Sequence, residues 1–161
     1  MPEDIVAFQE ILFRCKPTVI IETGVAWGGS IALGASIMSL YEPTGKVLGI
    51  DTSALKWVAD KVTESDRVMV VLDSHHTHEH VLSELRAFSS FVTRGQFLIV
   101  ADTSVKDLAN DTDRIRPWSQ KRNPHSALQA FLIESPEFVR DERVNNKLLT
   151  SFHPGGYLRK T

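Results

Sequence analysis

The chain has 161 residues, a formal net charge of −2 and 42% hydrophobic residues, so we expect one globular domain spanning 1–161 with one core. The near-neutral charge gives no electrostatic argument for a nucleic-acid partner. No apolar run reaches the roughly 18 residues of a membrane-spanning helix, and the acidic start Pro2-Glu3-Asp4 is unlike a secretory signal. One cysteine, Cys15, cannot close an internal disulfide, so we predict a cytoplasmic protein and leave self-association open.

Helices and strands alternate from the start of the chain. Apolar residues at helical spacing over 3–15 predict a first helix, which Pro17 ends. The pattern then predicts a buried strand over 18–22, a glycine-rich turn, a helix over 30–41 and a strand over 46–51. Strand, helix and strand at this spacing predict a βαβ unit with a right-handed crossover.

The alternation continues in the second half of the chain. The predicted elements are a helix over 53–63, a strand over 68–73, a helix over 77–91, a strand over 96–101, a polar loop over 103–124, a helix over 126–134, and a hairpin of strands 147–152 and 157–160. A loop as long as 103–124 is usually functional or disordered. The whole pattern predicts an α/β fold, Rossmann-like and doubly wound, with a mostly parallel sheet and a C-terminal antiparallel hairpin.

The turn after the first strand, Glu22 to Ser30, is a candidate cofactor site. Gly24 permits a tight turn, and Gly28 and Gly29 let backbone approach a ligand closely. Ser30 can cap the helix that follows. The spacing E-x-G-x-x-x-G-G-S matches neither the dinucleotide G-x-G-x-x-G nor the phosphate-binding G-x-x-x-x-G-K-[ST], which disfavours an NAD(P)-dependent oxidoreductase.

Two acidic residues indicate which cofactor fits. Glu22, just before the turn, would repel a pyrophosphate and suits the α-ammonium group of an amino-acid-bearing cofactor such as S-adenosylmethionine. Asp51, which closes the second strand, is placed to accept hydrogen bonds from ribose hydroxyls. The predicted cofactor-binding residues are Glu22, Gly24, Ala26, Gly28, Gly29, Ser30 and Asp51. The alternative is that these glycines serve only a strand-to-helix turn.

Two further acidic residues, Asp73 and Asp102, end successive strands. The carboxyl ends of parallel strands meet at one edge of a sheet, so we expect both to lie beside the cofactor turn. Two carboxylates with water form a hard-oxygen site suited to Mg²⁺, which would lower the pKa of a bound substrate hydroxyl. The alternative is that each aspartate caps a helix.

A histidine-rich stretch, Asp73 to His80, follows the third predicted strand. His76 and His80 stand at i and i+4, but no cysteine or further histidine completes a tetrahedral zinc set. We predict instead that His76 is a general base near neutral pH and that it forms the catalytic pair with Asp73.

Five segments taken in order resemble the cephalosporin hydroxylase/rhamnosyl O-methyltransferase family: IIETGVAWGGS, GKVLGID, VMVVLDSHHT, LSELRAFSSFVTRGQFLIVADT and LLTSFHPGGYLRK. The resemblance covers residues 17–52 and 66–161. It implies a class I, S-adenosylmethionine-dependent, Mg²⁺-assisted O-methyltransferase, related to the catechol and caffeoyl-CoA type. The acceptor implied is a small-molecule or glycan hydroxyl: a sugar hydroxyl on a glycolipid or polysaccharide, or a natural-product hydroxyl.

The resemblance also assigns residues. It places Glu22, Gly24, Gly28 and Ser30 at the methionine part of the cofactor, Asp51 at the ribose, Asp73 and Asp102 at the metal, and His76 at the base. The segment 152–157 would wall the substrate side. Residues 103–124 would select the acceptor, with Trp118, Lys121 and Arg122 either contacting it or lying in a solvated loop.

Two departures from the family pattern bear on function. Ala101 stands where the family usually has a glutamate before the strand-end aspartate, which removes a metal ligand. Only 16 residues separate Asp51 from Val68, too few for the family's third strand and its adenine-contacting turn. Either the fold is shortened there, or residues are missing from the sequence between Asp51 and Val68. A shortened, catalytically degraded member that only binds a cofactor or partner is the alternative function.

Overall fold

The computed structural model describes residues 1–51, 54–108 and 116–161. The helices are α1 (Pro2–Cys15), α2 (Gly29–Ser39), α3 (Leu55–Ala59), α4 (His78–Phe88), α5 (Val105–Leu108), α6 (Pro124–Glu134) and α7 (Glu142–Asn145), with a 3₁₀ turn at Ser89–Phe91. The strands are β1 (Val19–Thr23), β2 (Lys46–Ile50), β3 (Val68–Leu72), β4 (Phe97–Val100), β5 (Phe138–Arg140) and β6 (Tyr157–Lys160). None of the described helices has the length and apolarity needed to cross a membrane.

The strands form one sheet in the order β2-β1-β3-β4-β6-β5. The first four are parallel, and β6 runs antiparallel to β4 and β5. Thr23 pairs with both Ile50 and Leu72, and Leu72 pairs with Val100, so the carboxyl ends of the four parallel strands lie level along one edge. The predicted Rossmann-like α/β fold with an antiparallel C-terminal pair is confirmed.

The sheet is covered on both faces. Alternate side chains of β1 enter different clusters: Val19 and Ile21 pack with α4 and α6, whereas Ile20 packs with α1 and α2. All five residues of β1 are buried, as expected for a central parallel strand. This double coverage explains why the apolar runs of the sequence were sufficient to locate the four parallel strands.

The prediction that residues 147–152 form the first strand of a C-terminal hairpin is wrong. The strand that pairs with β6 is instead β5, three residues long, with α7 between the two. Leu149 is 99% exposed, and the Phe152 backbone is bonded outside the sheet: its N–H donates to Asp4 and its carbonyl accepts from Ser104. A strand of three residues carries too little periodicity to be recognised in the sequence.

The shortening predicted after β2 is visible in the sheet. In the classic doubly wound order a third strand lies outside the second, whereas here β2 is the outermost strand of the described sheet. The helix predicted over 53–63 is reduced to the five residues of α3, and its first predicted residue lies outside the described part. Among the described residues between β2 and β3, the helix α3 is the one regular element.

Helix α1 is tied to the C-terminal segment by a buried carboxylate. Asp4 is only 7% exposed, and it accepts hydrogen bonds from the Tyr157 hydroxyl at 2.8 Å, the Phe152 N–H at 2.9 Å and the Ser151 hydroxyl. Burial raises the pKa of this carboxyl, but the hydrogen bonds outweigh burial and hold the pKa below its usual value. The ionised form of Asp4 therefore stabilises the fold.

Replacing Asp4 by alanine is expected to destabilise the protein by about 3 kcal/mol at neutral pH, because it leaves buried donors without a partner. A carboxyl whose pKa is lowered by folding contributes stability above its unfolded pKa and loses it as the pH falls through the folded value. The difference from wild type should therefore hold down to about pH 5 and shrink below about pH 4. Urea unfolding across this range measures it, with Glu3→Ala, an exposed neighbour on α1, as the control. An undiminished difference at about pH 3 would contradict this role.

Candidate active site

Acidic side chains from neighbouring strand ends meet at one cavity of about 600 Å³. Glu22 belongs to β1, Asp73 follows β3, and Asp102 follows β4, and all three line the cavity. The opposite wall comes from α1, α2 and the segment 152–157. The structure thus brings together the acidic groups that the sequence placed at one edge of the sheet.

Glu22 is the most buried of these groups, with 2% exposure. It accepts a hydrogen bond from the Ser30 hydroxyl. Burial raises the pKa of Glu22, the Ser30 hydrogen bond partly offsets this effect, and the nearby charge of Asp73 adds to it. A buried carboxylate beside a second one is stabilised by a cationic ligand group. Ser30 was expected to cap α2, and this is wrong: the cap residue is Gly28, and no side chain caps the helix.

The turn between β1 and α2 depends on Gly24. Its φ is +82°, and a Cβ there would lie 2.1 Å from the Asp73 carbonyl oxygen. The absence of a side chain thus lets the ends of β1 and β3 approach each other. Gly28 also has a positive φ, +74°, but open space surrounds it and Gly29. Ala26 has a φ of +44°, a strained conformation for a residue with a side chain.

Asp51 fixes the same turn from the neighbouring strand. Its Oδ1 accepts a hydrogen bond from the Val25 backbone N–H at 2.9 Å. The side chain is exposed, and its second oxygen lies outside that bond. Asp51 therefore supports the turn and keeps an acceptor at its edge, where the sequence placed the ribose contact.

His76 lies between the two strand-end aspartates. Its Nε2 is 3.2 Å from Asp102 Oδ2 and 3.8 Å from Asp73 Oδ1. The carboxylate of Asp73 raises the pKa of His76, burial opposes the rise, and the charge of Asp102 adds to it. Burial and the Asp73 charge raise the pKa of Asp102, although His76 partly compensates. The arrangement concentrates negative charge around one position.

This donor set fits a divalent cation. One ligand atom from each of Asp73, His76 and Asp102 lies within 4.8 Å of the other two. The two carboxylates, with open positions for water, suit a six-coordinate ion, and the imidazole beside them can accept a proton. Ala101 is buried and lines the same cavity without contributing a ligand.

The structure does not support a zinc site formed by His76 and His80. The His80 Nε2 lies 2.9 Å from the Ser74 hydroxyl and 3.4 Å from Glu84 Oε1. His76 instead belongs to the group around Asp102. The two histidines therefore face different neighbours.

The sequence did not reveal what holds Asp102 in place. Asp102 has a φ of +52°, and its N–H donates to His153 Nδ1 at 2.9 Å. The Thr103 hydroxyl donates to the Pro154 carbonyl at 3.0 Å. The segment 152–157, predicted only as a cavity wall, thus also fixes the backbone of Asp102. In the sequence, the run His-Pro-Gly-Gly at 153–156 was the feature that could have indicated this turn.

The structure places the three loop residues that were considered as acceptor contacts in different surroundings. Trp118 packs edge-on against His76, with ring centroids 5.3 Å apart. Arg122 pairs with Glu79 at the surface, and Lys121 is exposed. Only Trp118 of the three thus contacts the group around Asp102, and residues 109–115 of this loop lie outside the described part.

Solved structures resemble this fold along the chain. A CmcI structure with Mg and SAM superimposes with a TM-score of 0.66 at 15% identity, covering 100% of this chain and 72% of that one. An O-methyltransferase from Bacillus cereus in complex with SAH superimposes with a TM-score of 0.62 at 12% identity, covering 86% and 72%. At these identities the likeness concerns the fold alone.

Sequence relatives point to one family. Rhamnosyl O-methyltransferases of Mycobacterium tuberculosis and Mycobacterium bovis are 25% identical over 178 residues, covering 94% of this chain and 70% of each relative. The Mycobacterium leprae protein of the same name is 24% identical, covering 94% and 75%. The alignments are longer than the chain, so the relatives carry residues without a counterpart here.

The family model described as Rhamnosyl O-methyltransferase/CmcI matches the chain in two segments, residues 1–57 and 51–161. The segments overlap at residues 51–57, just after β2, which is the outermost strand of the described sheet. Together they span the sequence that resembled this family motif by motif. The chain belongs to the Rhamnosyl O-methyltransferase/CmcI family.

Proposed function

We propose that the protein is an S-adenosylmethionine-dependent O-methyltransferase, assisted by Mg²⁺, that acts on a sugar or natural-product hydroxyl. The observation that carries the proposal is the convergence of Glu22, Asp73 and Asp102 on one cavity beside the Gly24 turn. Membership of the family and the names of the relatives support the same reaction.

The cofactor would lie across the turn. The buried carboxylate of Glu22 suits the α-ammonium of the methionine part, since a cation relieves its unfavourable ionisation. The backbone from Gly24 through Ala26 to Gly28, Gly29 and the Ser30 hydroxyl would surround that part. Asp51 would accept hydrogen bonds from the ribose with the oxygen that the turn does not use.

Asp73 and Asp102 would hold the metal ion. A bound Mg²⁺ supplies a Lewis acid that lowers the pKa of the acceptor hydroxyl. His76, within 3.8 Å of both aspartates, would accept the hydroxyl proton at Nε2. Most of the rate enhancement would come from aligning the acceptor oxygen with the methyl group.

The cavity favours an acceptor with an apolar face. Ile5 and Phe8 of α1, Leu33 of α2 and Ile99 of β4 line it opposite the carboxylates. A deoxy sugar such as rhamnose, or a glycolipid bearing one, combines hydroxyls with apolar surface, and the names of the mycobacterial relatives agree with it. We infer a cytoplasmic enzyme that takes such a small-molecule or glycan acceptor.

Titration calorimetry with S-adenosylhomocysteine, with and without Mg²⁺, tests the cofactor assignment. We expect the protein to bind S-adenosylhomocysteine with micromolar affinity. We expect it not to bind NADH, because the turn lacks the dinucleotide spacing. Binding of NADH in place of S-adenosylhomocysteine, or of neither, would overturn the proposal.

A shortened, catalytically degraded member is the second candidate. Ala101 in the cavity and β2 at the edge of the described sheet favour it. It predicts S-adenosylhomocysteine binding with no methyl transfer to any rhamnoside, other sugar or phenol. Methyl transfer to a single acceptor class would exclude it.

A further inference from the structure

A smaller cavity of about 110 Å³ lies beside the cofactor turn, between the ends of β1 and β2 and helices α3 and α4. It is lined by residues that include Thr23, Ile50, Asp51, Leu55, Glu84 and Phe88. Asp51 thus borders it directly. The proposed function leaves this cavity without a role.

Glu84 of α4 brings an unusual group to this cavity. Its side chain is 11% exposed, and its Oε1 accepts a hydrogen bond from the Ser74 hydroxyl at 2.8 Å. Its Oε2 is buried and has no hydrogen-bond donor among the described residues. A buried carboxylate oxygen without a donor is costly, so this atom favours a ligand that carries N–H or O–H groups.

The position of the cavity defines the part of the ligand that reaches it. This argument rests on the proposed function, which puts the ribose at Asp51. A base attached to that ribose would lie next to the cavity that Asp51 borders. The outer strand that would cover this position in the classic order is absent from the described sheet. The apolar side chains of Ile50, Leu55 and Phe88 offer contact to a flat aromatic ring.

We propose that this cavity holds the adenine base of the cofactor and that Glu84 Oε2 accepts a hydrogen bond from its 6-amino group. A 6-amino group is a donor and satisfies the carboxylate. A 6-oxo group is an acceptor and places an oxygen against the negative charge. Ser74 and His80 fix the carboxylate from its other side. Helix α4 then contacts the base where the family pattern has a strand-end turn.

The test compares two ligands by titration calorimetry: S-adenosylhomocysteine and its 6-oxo analogue, S-inosylhomocysteine. Wild type is expected to bind the 6-oxo compound at least about tenfold more weakly. Glu84→Gln presents an amide that can donate to the 6-oxo group, so the preference should fall to within about threefold. Glu79→Gln, exposed on the same helix, should keep the wild-type preference.

The possible outcomes distinguish a failure of the adenine assignment from a failure of the proposed methyltransferase function. Equal affinity of wild type for both ligands would overturn the adenine assignment and leave the methyltransferase assignment standing. An unchanged preference in Glu84→Gln would do the same. Binding of neither ligand by wild type would instead remove the S-adenosylmethionine site itself, and the adenine assignment with it.

Discussion

Replacing Gly24 by alanine should abolish S-adenosylhomocysteine binding and destabilise the protein by about 3 kcal/mol. The substitution combines two effects. A φ of +82° is strained for alanine, and the new Cβ would lie 2.1 Å from the Asp73 carbonyl oxygen, so the turn must move away from β3. Because Asp73 belongs to the same cavity, this movement separates the cofactor turn from the proposed metal site.

Gly95→Ala is the matched control for this prediction, because Gly95 lies outside the candidate site. Gly95 has a similar φ of +83° but nothing within 4 Å of the position of a Cβ, so only the backbone strain of about 1 kcal/mol remains. Urea unfolding and calorimetry on both variants separate the clash from the strain. Equal loss of stability and of ligand affinity in the two variants would show that the contact between Gly24 and Asp73 has no special importance.

Replacing Asp102 by asparagine should lower methyl transfer by about 10²–10³-fold. The change removes a carboxylate from the group of Asp73, His76 and Asp102, so the site should also bind Mg²⁺ more weakly. Steady-state rates at saturating S-adenosylmethionine and calorimetry with Mg²⁺ measure the two effects.

The same substitution should leave the protein as stable as wild type or more stable. Burial and Asp73 raise the pKa of Asp102, so its ionised form is disfavoured in the folded state and its removal relieves repulsion. A loss of activity without a loss of stability is the expected signature of a functional group. Asp107→Asn, an exposed neighbour on α5, should change neither quantity. Loss of activity that merely follows unfolding would contradict this assignment.

Much of the fold could be predicted from the sequence because the parallel strands are buried on both faces. Runs such as Val68 to Leu72 are apolar throughout, and such runs identify central strands. The partner of β6 could not be predicted in this way. Only three residues of β5 pair with it, and that pairing depends on tertiary contacts that leave little periodicity in the sequence.

The candidate site, like the fold, could be predicted from the sequence only in part. The juxtaposition of Asp73 and Asp102 follows from topology alone, because parallel strands end at one edge. The support of Asp102 by His153 depends on the conformation of a turn. The placement of Glu84 depends on the rotation of α4 about its axis. Ser30 shows the limit clearly: its position suited a helix cap, but its hydroxyl donates to Glu22.

Whether the protein methylates a sugar is decided by following a labelled methyl group from S-adenosylmethionine to a rhamnoside in the presence of Mg²⁺. Wild type is expected to transfer the label to a sugar oxygen, and Asp102→Asn is expected to transfer about one hundredth as much or less. The absence of label from every sugar and natural-product acceptor, with a protein that binds S-adenosylhomocysteine, would contradict this expectation.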